Sequence, residues 1–271
     1  MSITLCPDAL TLIKSYEGDP PSPHPEWPGE QSGITIGYGV DLGMDPGALD
    51  AWRDYLSPQD YARLDAVKGI TGAAAQGLLP SVEDIPIGRD ASAAIFAAVT
   101  APRYLALTLK GFPGAEALPP ESLGALVSLV FNRGTSTTGK NRSEMAAIKA
   151  ALAAGPGPWP GIILEIARMT AYWNNGQPNK GATNLAGRRL AEASFFARGL
   201  RAIGRLEGAL IKGDRGDRTS RIAALQTALK VGADGDFGPG TMIAVWSYQK
   251  SNAALQGTGV ADAPTLSALG V

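Results

Sequence analysis

Glu17-Gly18 and, beyond a proline-rich stretch, Gly33-Ile34-Thr35-Ile36-Gly37-Tyr38-Gly39-Val40-Asp41-Leu42-Gly43 decide how this chain reads. Upstream, Pro7 to Tyr16 places Ala9, Leu12, Ile13 and Tyr16 at the i, i+3, i+4, i+7 spacing of an amphipathic helix, and Pro7 suits its first turn. Gly18 stops that helix. Glu17 is thereby expected on the last turn, where the negative end of the macrodipole disfavours a charged carboxylate and favours the protonated acid. Between Asp19 and Gly33, five prolines forbid helix and leave only a loop or edge structure. Ile34 to Val40 then reads as one short strand interrupted by glycines.

Working outward, the chain from Pro46 to Ala202 is helical in pattern, with apolar periodicity around Ala91–Leu107, Leu123–Phe131, Glu144–Ala153 and Gly187–Leu200. Ala154 to Gly161 reads as a rigid loop within the same domain, because the helices on either side are apolar on one face and need each other. A second unit is expected to begin near Ile203 to Gly216. Thr219/Ser220, Pro239 with Thr241, and Asp262 with Pro264 open three short helices, which contain Leu225, Trp246 and Leu266 respectively. At about 65 residues this unit is near the lower limit for independent folding, so it should pack on the first domain or be tethered closely to it. The expectation is a mainly α protein, with an α+β lobe over residues 1–203 that carries a small β-element and a three-helix domain over residues 204–271.

Composition narrows the function. Lys plus Arg number 24 against 25 Asp plus Glu, a net charge of −1, so nucleic acid is not the expected partner. Cys6 and His24 are the single cysteine and histidine, which excludes an intrachain disulfide and a structural zinc site. No segment is read as reaching the ~18 apolar residues of a bilayer span, and the start lacks a secretory pattern. The expected product is a monomer made in the cytoplasm that reaches its target by lysis or a secretion machine.

A helix-terminal carboxylic acid at Glu17, followed by a glycine-loosened strand offering Thr35 and Asp41, sets an acid and a second polar group on opposite walls of a cleft. Hydrolysis of a glycosidic bond needs that pair: one carboxyl protonates the leaving oxygen, and a second group holds or activates water on the other face of the sugar. Tyr38, Trp27, Tyr172 and Trp173 could stack on sugar rings. Gly134-Thr-Ser-Thr-Thr-Gly139-Lys140-Asn141 approaches a phosphate-cradling loop, but Asn141 stands where a magnesium-binding hydroxyl is needed. Asp234-Gly-Asp236 lacks the bidentate Glu of a calcium loop. Neither His24 nor Cys6 has the partners of a nucleophilic triad.

Glu17-Gly18 with Thr35-Ile-Gly-Tyr-Gly-Val-Asp-Leu-Gly43 resembles the catalytic region of phage-type lysozymes, the muramidases of endolysins and related bacteriocins. Ala125 to Gly134 resembles that family's central buried helix, and Asn184 to Phe196 its closing helix, so the resemblance covers about residues 7 to 200 in order. It implies Glu17 as general acid, with Thr35 and a second carboxylate placing water. The family's intervening Asp or Cys falls here in the longer proline-rich loop. Asp41 fits the place of the Asp in pesticin-like muramidases, six residues after the Thr, and is favoured over Glu30. Arg221 to Lys230, Ala233 to Met242 and Ala244 to Lys250 resemble a peptidoglycan-binding domain, a module that raises effective concentration on an insoluble substrate. The resemblance implies bacterial peptidoglycan as substrate, cleavage of its N-acetylmuramic acid to N-acetylglucosamine β-1,4 bond, and no cofactor. A lytic transglycosylase, a non-catalytic wall-binding protein and a nucleotide-binding protein are the alternatives.

Overall fold

Polar caps and prolines start most of the helices, as their residue types require. The computed structural model describes residues 3–18, 21–178, 184–217 and 219–271; Asp19, in the proline-rich stretch, lies outside them. The helices are α1 (Pro7–Tyr16), α2 (Pro58–Asp65), α3 (Gly72–Leu78), α4 (Arg89–Ile95), α5 (Ala101–Gly111), α6 (Pro120–Arg133), α7 (Ser143–Ala153) and α8 (Trp159–Arg168). They continue with α9 (Leu185–Ala202), α10 (Arg221–Ala228), α11 (Pro239–Ser251) and α12 (Ala263–Leu269). The sheet is one antiparallel pair, β1 (Thr35–Ile36) and β2 (Val40–Asp41). The protein is therefore mainly α with a small β-element. The chain divides into two compact units, Ile13–Arg103 on one hand and Met1–Leu12 with Tyr104–Val271 on the other.

In the Ile13–Arg103 unit, the segment read as one interrupted strand is a hairpin. Gly37 and Gly39 take φ of 57° and 71°, the left-handed region that turns the chain back on itself and that side chains disfavour. Ile34, Ile36, Val40 and Leu42 alternate onto one face of this hairpin and join Leu49, Trp52, Leu64 and Ile85 in the core. Ile34 and Leu42 are fully buried, and burial of each such side chain contributes roughly 1.5–3 kcal/mol. The intervening residues Thr35 and Asp41 point to the opposite face. Trp27 tethers the proline-rich loop by donating its indole N–H to the Ser32 carbonyl at 3.0 Å.

The larger unit is organised on α6, whose residues from Ser122 to Val130 are all buried, and on α9, which packs against it. Arg188, Arg189 and Glu192 on α9 are buried together. Glu192 Oε1 accepts from Ser128 Oγ at 2.6 Å, Arg188 Nε at 3.1 Å and Arg189 Nη2 at 3.0 Å. Arg188 Nη2 also donates to the Ser128 carbonyl, so these polar groups tie α9 to α6. α8 begins at Trp159, with Pro160 in its first turn, so the loop expected over 154–161 is shorter than its prolines and glycines suggested.

Ser220 and Asp262 cap α10 and α12, accepting from the N–H groups of Ala223 and Thr265, whereas Thr241 is buried within α11 and caps nothing. Two buried glutamines staple this three-helix tail. The Gln226 amide donates to Asp234 Oδ1 at 2.7 Å and accepts from Gly235 N at 2.9 Å. The Gln249 amide donates to the Val260 carbonyl at 2.8 Å and accepts from Thr258 N and Gly259 N at 2.9 Å. The boundary expected at 203/204 falls inside the larger unit, where the tail is anchored on α9. There Arg201 makes a bidentate pair with Asp214, and Lys212 N donates to Ser194 Oγ at 3.0 Å.

Among the described residues, one helical stretch, Arg89–Gly111, is long and apolar enough to cross a membrane by length and composition. This corrects the reading that no segment approaches that limit. The stretch runs through α4, a π-helical turn at Phe96–Thr100 and α5, and carries Arg89, Asp90, Arg103 and Lys110 among its apolar residues.

Candidate active site

Glu17 sits just past the end of α1. Its N–H still reaches the Lys14 carbonyl at 3.0 Å, and Gly18 with φ of 84° turns the chain away. The carboxyl is half-buried and lies against the hairpin turn: a Cβ at Gly39 would stand 3.8 Å from Glu17 Oε2. Gly39 thus leaves open the space in front of the acid. Lys14 lies 5.6 Å from the centre of the Tyr38 ring. Tyr38 itself is buried and packs on Phe96 with ring centres 5.4 Å apart, so its ring serves the core instead of offering a face to a sugar.

Thr35 and Asp41 are register partners across β1 and β2, on the face opposite the core. Their Cβ atoms therefore point the same way. In the row they form, Asp41 follows Gly39 by two residues, with Val40 between them. Thr35 is buried, and its hydroxyl donates to the Gly33 carbonyl at 3.4 Å.

Asp41 is held by the backbone. Its Oδ1 accepts from Gly33 N at 3.0 Å, Gly43 N at 2.9 Å and Met44 N at 3.0 Å, and Oδ2 lies 3.1 Å from Gly33 N. A Cβ at Gly33 would fall 2.4 Å from Gly43 N and 2.5 Å from Asp41 Oδ1, so this crossing of two backbone segments requires a residue with no side chain. Asp41 is thus the clasp of the hairpin base as well as a member of the polar row. Glu30 is exposed, with φ of 50°, in the loop beside it. Glu30, Gln31, Asp41 and Met44 line an open groove of about 350 Å³.

The proline-rich loop contributes a third lane to the sheet. Glu26 N donates to the Thr35 carbonyl at 2.9 Å, and Thr35 N to the Glu26 carbonyl at 2.8 Å, an antiparallel bridge outside the named strands. Glu26, Thr35 and Asp41 therefore stand in one row. The sequence reading passed over Glu26, although Pro25 and Pro28 on either side hold this segment extended, as an edge lane requires.

Trp173 belongs to the other unit. Its ring is flanked by the guanidinium groups of Arg133 at 5.1 Å and Arg189 at 5.5 Å, with Tyr172 edge-on at 5.9 Å. Burial, followed by the charge of Arg142, pushes the Arg133 guanidinium below its ordinary value. Tyr172 donates its hydroxyl to Glu144, and burial first, then that bond, holds its phenol above the ordinary tyrosine range. In the same unit, a cleft of about 610 Å³ is lined by Arg168 and Ala171, next to α8, and by Trp246, Lys250 and Gln256 of the tail.

Ala125 to Phe131 is helix, not strand, so the stretch before Gly134 gives no phosphate loop its usual setting. Among the described residues, no group of three or more His, Cys, Asp or Glu could hold a metal ion. No protein-family model matches the chain, and no curated protein matches its sequence.

Proposed function

We propose that the chain hydrolyses the β-1,4 bond between N-acetylmuramic acid and N-acetylglucosamine in bacterial peptidoglycan. The observation that carries this reading is the Glu17 carboxyl set against the open turn at Gly39, with the polar row of Thr35 and Asp41 on the hairpin which that turn closes. An acid beside the leaving oxygen and a polar row that holds water on the other face of the sugar make up the arrangement of an inverting glycosidase. Glu17 protonates the leaving oxygen. Thr35 orients the water, and Asp41 fixes the backbone that carries Thr35. The tail, through its cleft at Trp246 and Lys250, retains the enzyme on the polymer, which favours repeated cleavage of an insoluble substrate.

The test is digestion of purified peptidoglycan followed by mass spectrometry of the released muropeptides. Hydrolysis gives reducing N-acetylmuramic acid ends, whereas a lytic transglycosylase gives the anhydro sugar, one water lighter. Glu17→Gln should lower the rate by about 10²–10⁴, because an amide has no proton to give the leaving oxygen. Retention of more than about a tenth of the wild-type rate would remove Glu17 from that role. Binding of the polymer with no product from the wild-type chain would identify a wall-binding protein instead.

A further inference from the structure

We propose that Glu26 is the carboxylate that accepts the proton of the attacking water, an assignment that rests on the hydrolase reading and supplies the base that reading leaves open. Three observations converge on it. Thr35 spends both its backbone N–H and its carbonyl on Glu26, so Glu26 and Thr35 form a hydrogen-bonded pair, with Cα atoms about 5.5 Å apart and side chains on the same face. Because those backbone groups point toward Glu26, Thr35 meets Asp41 across a non-hydrogen-bonded pair, about 4.5 Å between Cα atoms. The Thr35 hydroxyl is therefore flanked by a carboxylate on each side.

The two flanking carboxylates differ in what they are free to do. Oδ1 of Asp41 receives three backbone N–H groups, and Oδ2 shares one of them. Asp41 is thereby committed to holding the backbone of the hairpin base, with its Oδ1 directed at those donors and away from an incoming water. Glu26 is exposed, and among the described residues no hydrogen bond or ion pair engages its carboxylate. It also stands on a lane that the prolines stiffen on both sides, which suits a group that must hold one position.

The step balances as follows. The water oxygen forms its bond to C1 of N-acetylmuramic acid while the bond from C1 to the bridging oxygen breaks, the electron pair staying with that oxygen. Glu17 delivers its proton to the departing oxygen, and Glu26 takes a proton from the water. Glu17 ends as a carboxylate and Glu26 as a carboxylic acid, and exchange with solvent resets both.

The experiment compares wild type, Glu26→Gln and Glu26→Ala on purified peptidoglycan and on a soluble glycan, with a thermal melt of each. Because the side chain is exposed, both variants should melt with wild type, while reducing-end release falls by about 10²–10³. Azide added to Glu26→Ala should restore turnover and give a glycosyl azide of inverted configuration, since an anion already deprotonated needs no base. A folded Glu26→Gln within about threefold of wild type would overturn the assignment and leave the hydrolase reading standing. A wild-type chain that releases no reducing ends would remove both.

Discussion

Asp41→Ala removes the clasp of the hairpin base, and its cost can be worked from the donors it leaves behind. The Gly33 N–H is buried, the Gly43 N–H is half-buried, and the Met44 N–H is exposed and regains water. A buried donor left without a partner costs about 1–3 kcal/mol, so the first two sum to roughly 2–4 kcal/mol once the partial exposure of Gly43 is discounted. For a cooperative unit of this size, each kcal/mol lowers Tm by about 2–8 °C. The variant should therefore melt at least ~4 °C below wild type. Asp41→Asn keeps an oxygen for the three Oδ1 contacts, at about half the strength of the charged acceptor, so it should melt much closer to wild type and retain far more activity than Glu26→Gln. Differential scanning calorimetry together with reducing-end release reads both effects. An Asp41→Ala protein that melts with wild type yet has lost all activity would refute the reasoning and restore Asp41 as the base.

Glu192→Ala strips the buried acceptor shared by Arg188, Arg189 and Ser128, leaving buried guanidinium charge uncompensated, and should destabilise by about 3–5 kcal/mol in denaturant titration. Truncation after Ala202 removes Asp214 from Arg201 and Lys212 N from Ser194, and exposes the surface of Leu190 that approaches Gly259. The fragment should melt several degrees lower while still cleaving short soluble glycan, as assayed on chitooligosaccharide or muropeptide substrates. Burial, then the charge of Arg198, holds the Lys212 ammonium below the ordinary lysine range, so the folded state disfavours the charged form. Between the folded and the ordinary values the unfolded chain binds more protons than the folded one, so stability from this group rises as pH climbs through that interval. Lys212→Met should raise Tm by a few degrees at pH 7, with the gap narrowing toward pH 10, read from melts across that range.

The helices were legible where period and punctuation agreed. Ala9, Leu12, Ile13 and Tyr16 gave α1, Gly18 ended it, and Ser220 and Asp262 marked two helix starts of the tail that the structure keeps. The hairpin was not, because Ile34 to Val40 is too short for alternation alone to tell one strand with loose glycines from two strands joined by a glycine turn. Glu17, Thr35 and Asp41 were found from their residue types and spacing, yet spacing says nothing of what a carboxylate's oxygens already accept. Three backbone N–H groups on Asp41 and the bridge from Glu26 to Thr35 exist only once the chain crosses itself. Gln226 and Gln249 escaped notice for the same reason, since a buried glutamine that satisfies two loops looks like any surface glutamine in sequence.

The central claim, that Glu17 and a water placed by the Thr35 row act from opposite sides of the sugar, is tested most directly by the configuration of the first product. Proton magnetic resonance of a soluble peptidoglycan glycan, recorded as the enzyme acts and before the ends mutarotate, distinguishes the two anomers of the new N-acetylmuramic acid terminus. Direct attack by water on the face opposite the acid predicts the α-anomer, by inversion of the β-bond. A β-anomer would mean a covalent intermediate on a closer carboxylate, and an anhydro end would mean no water is used; either would contradict the account.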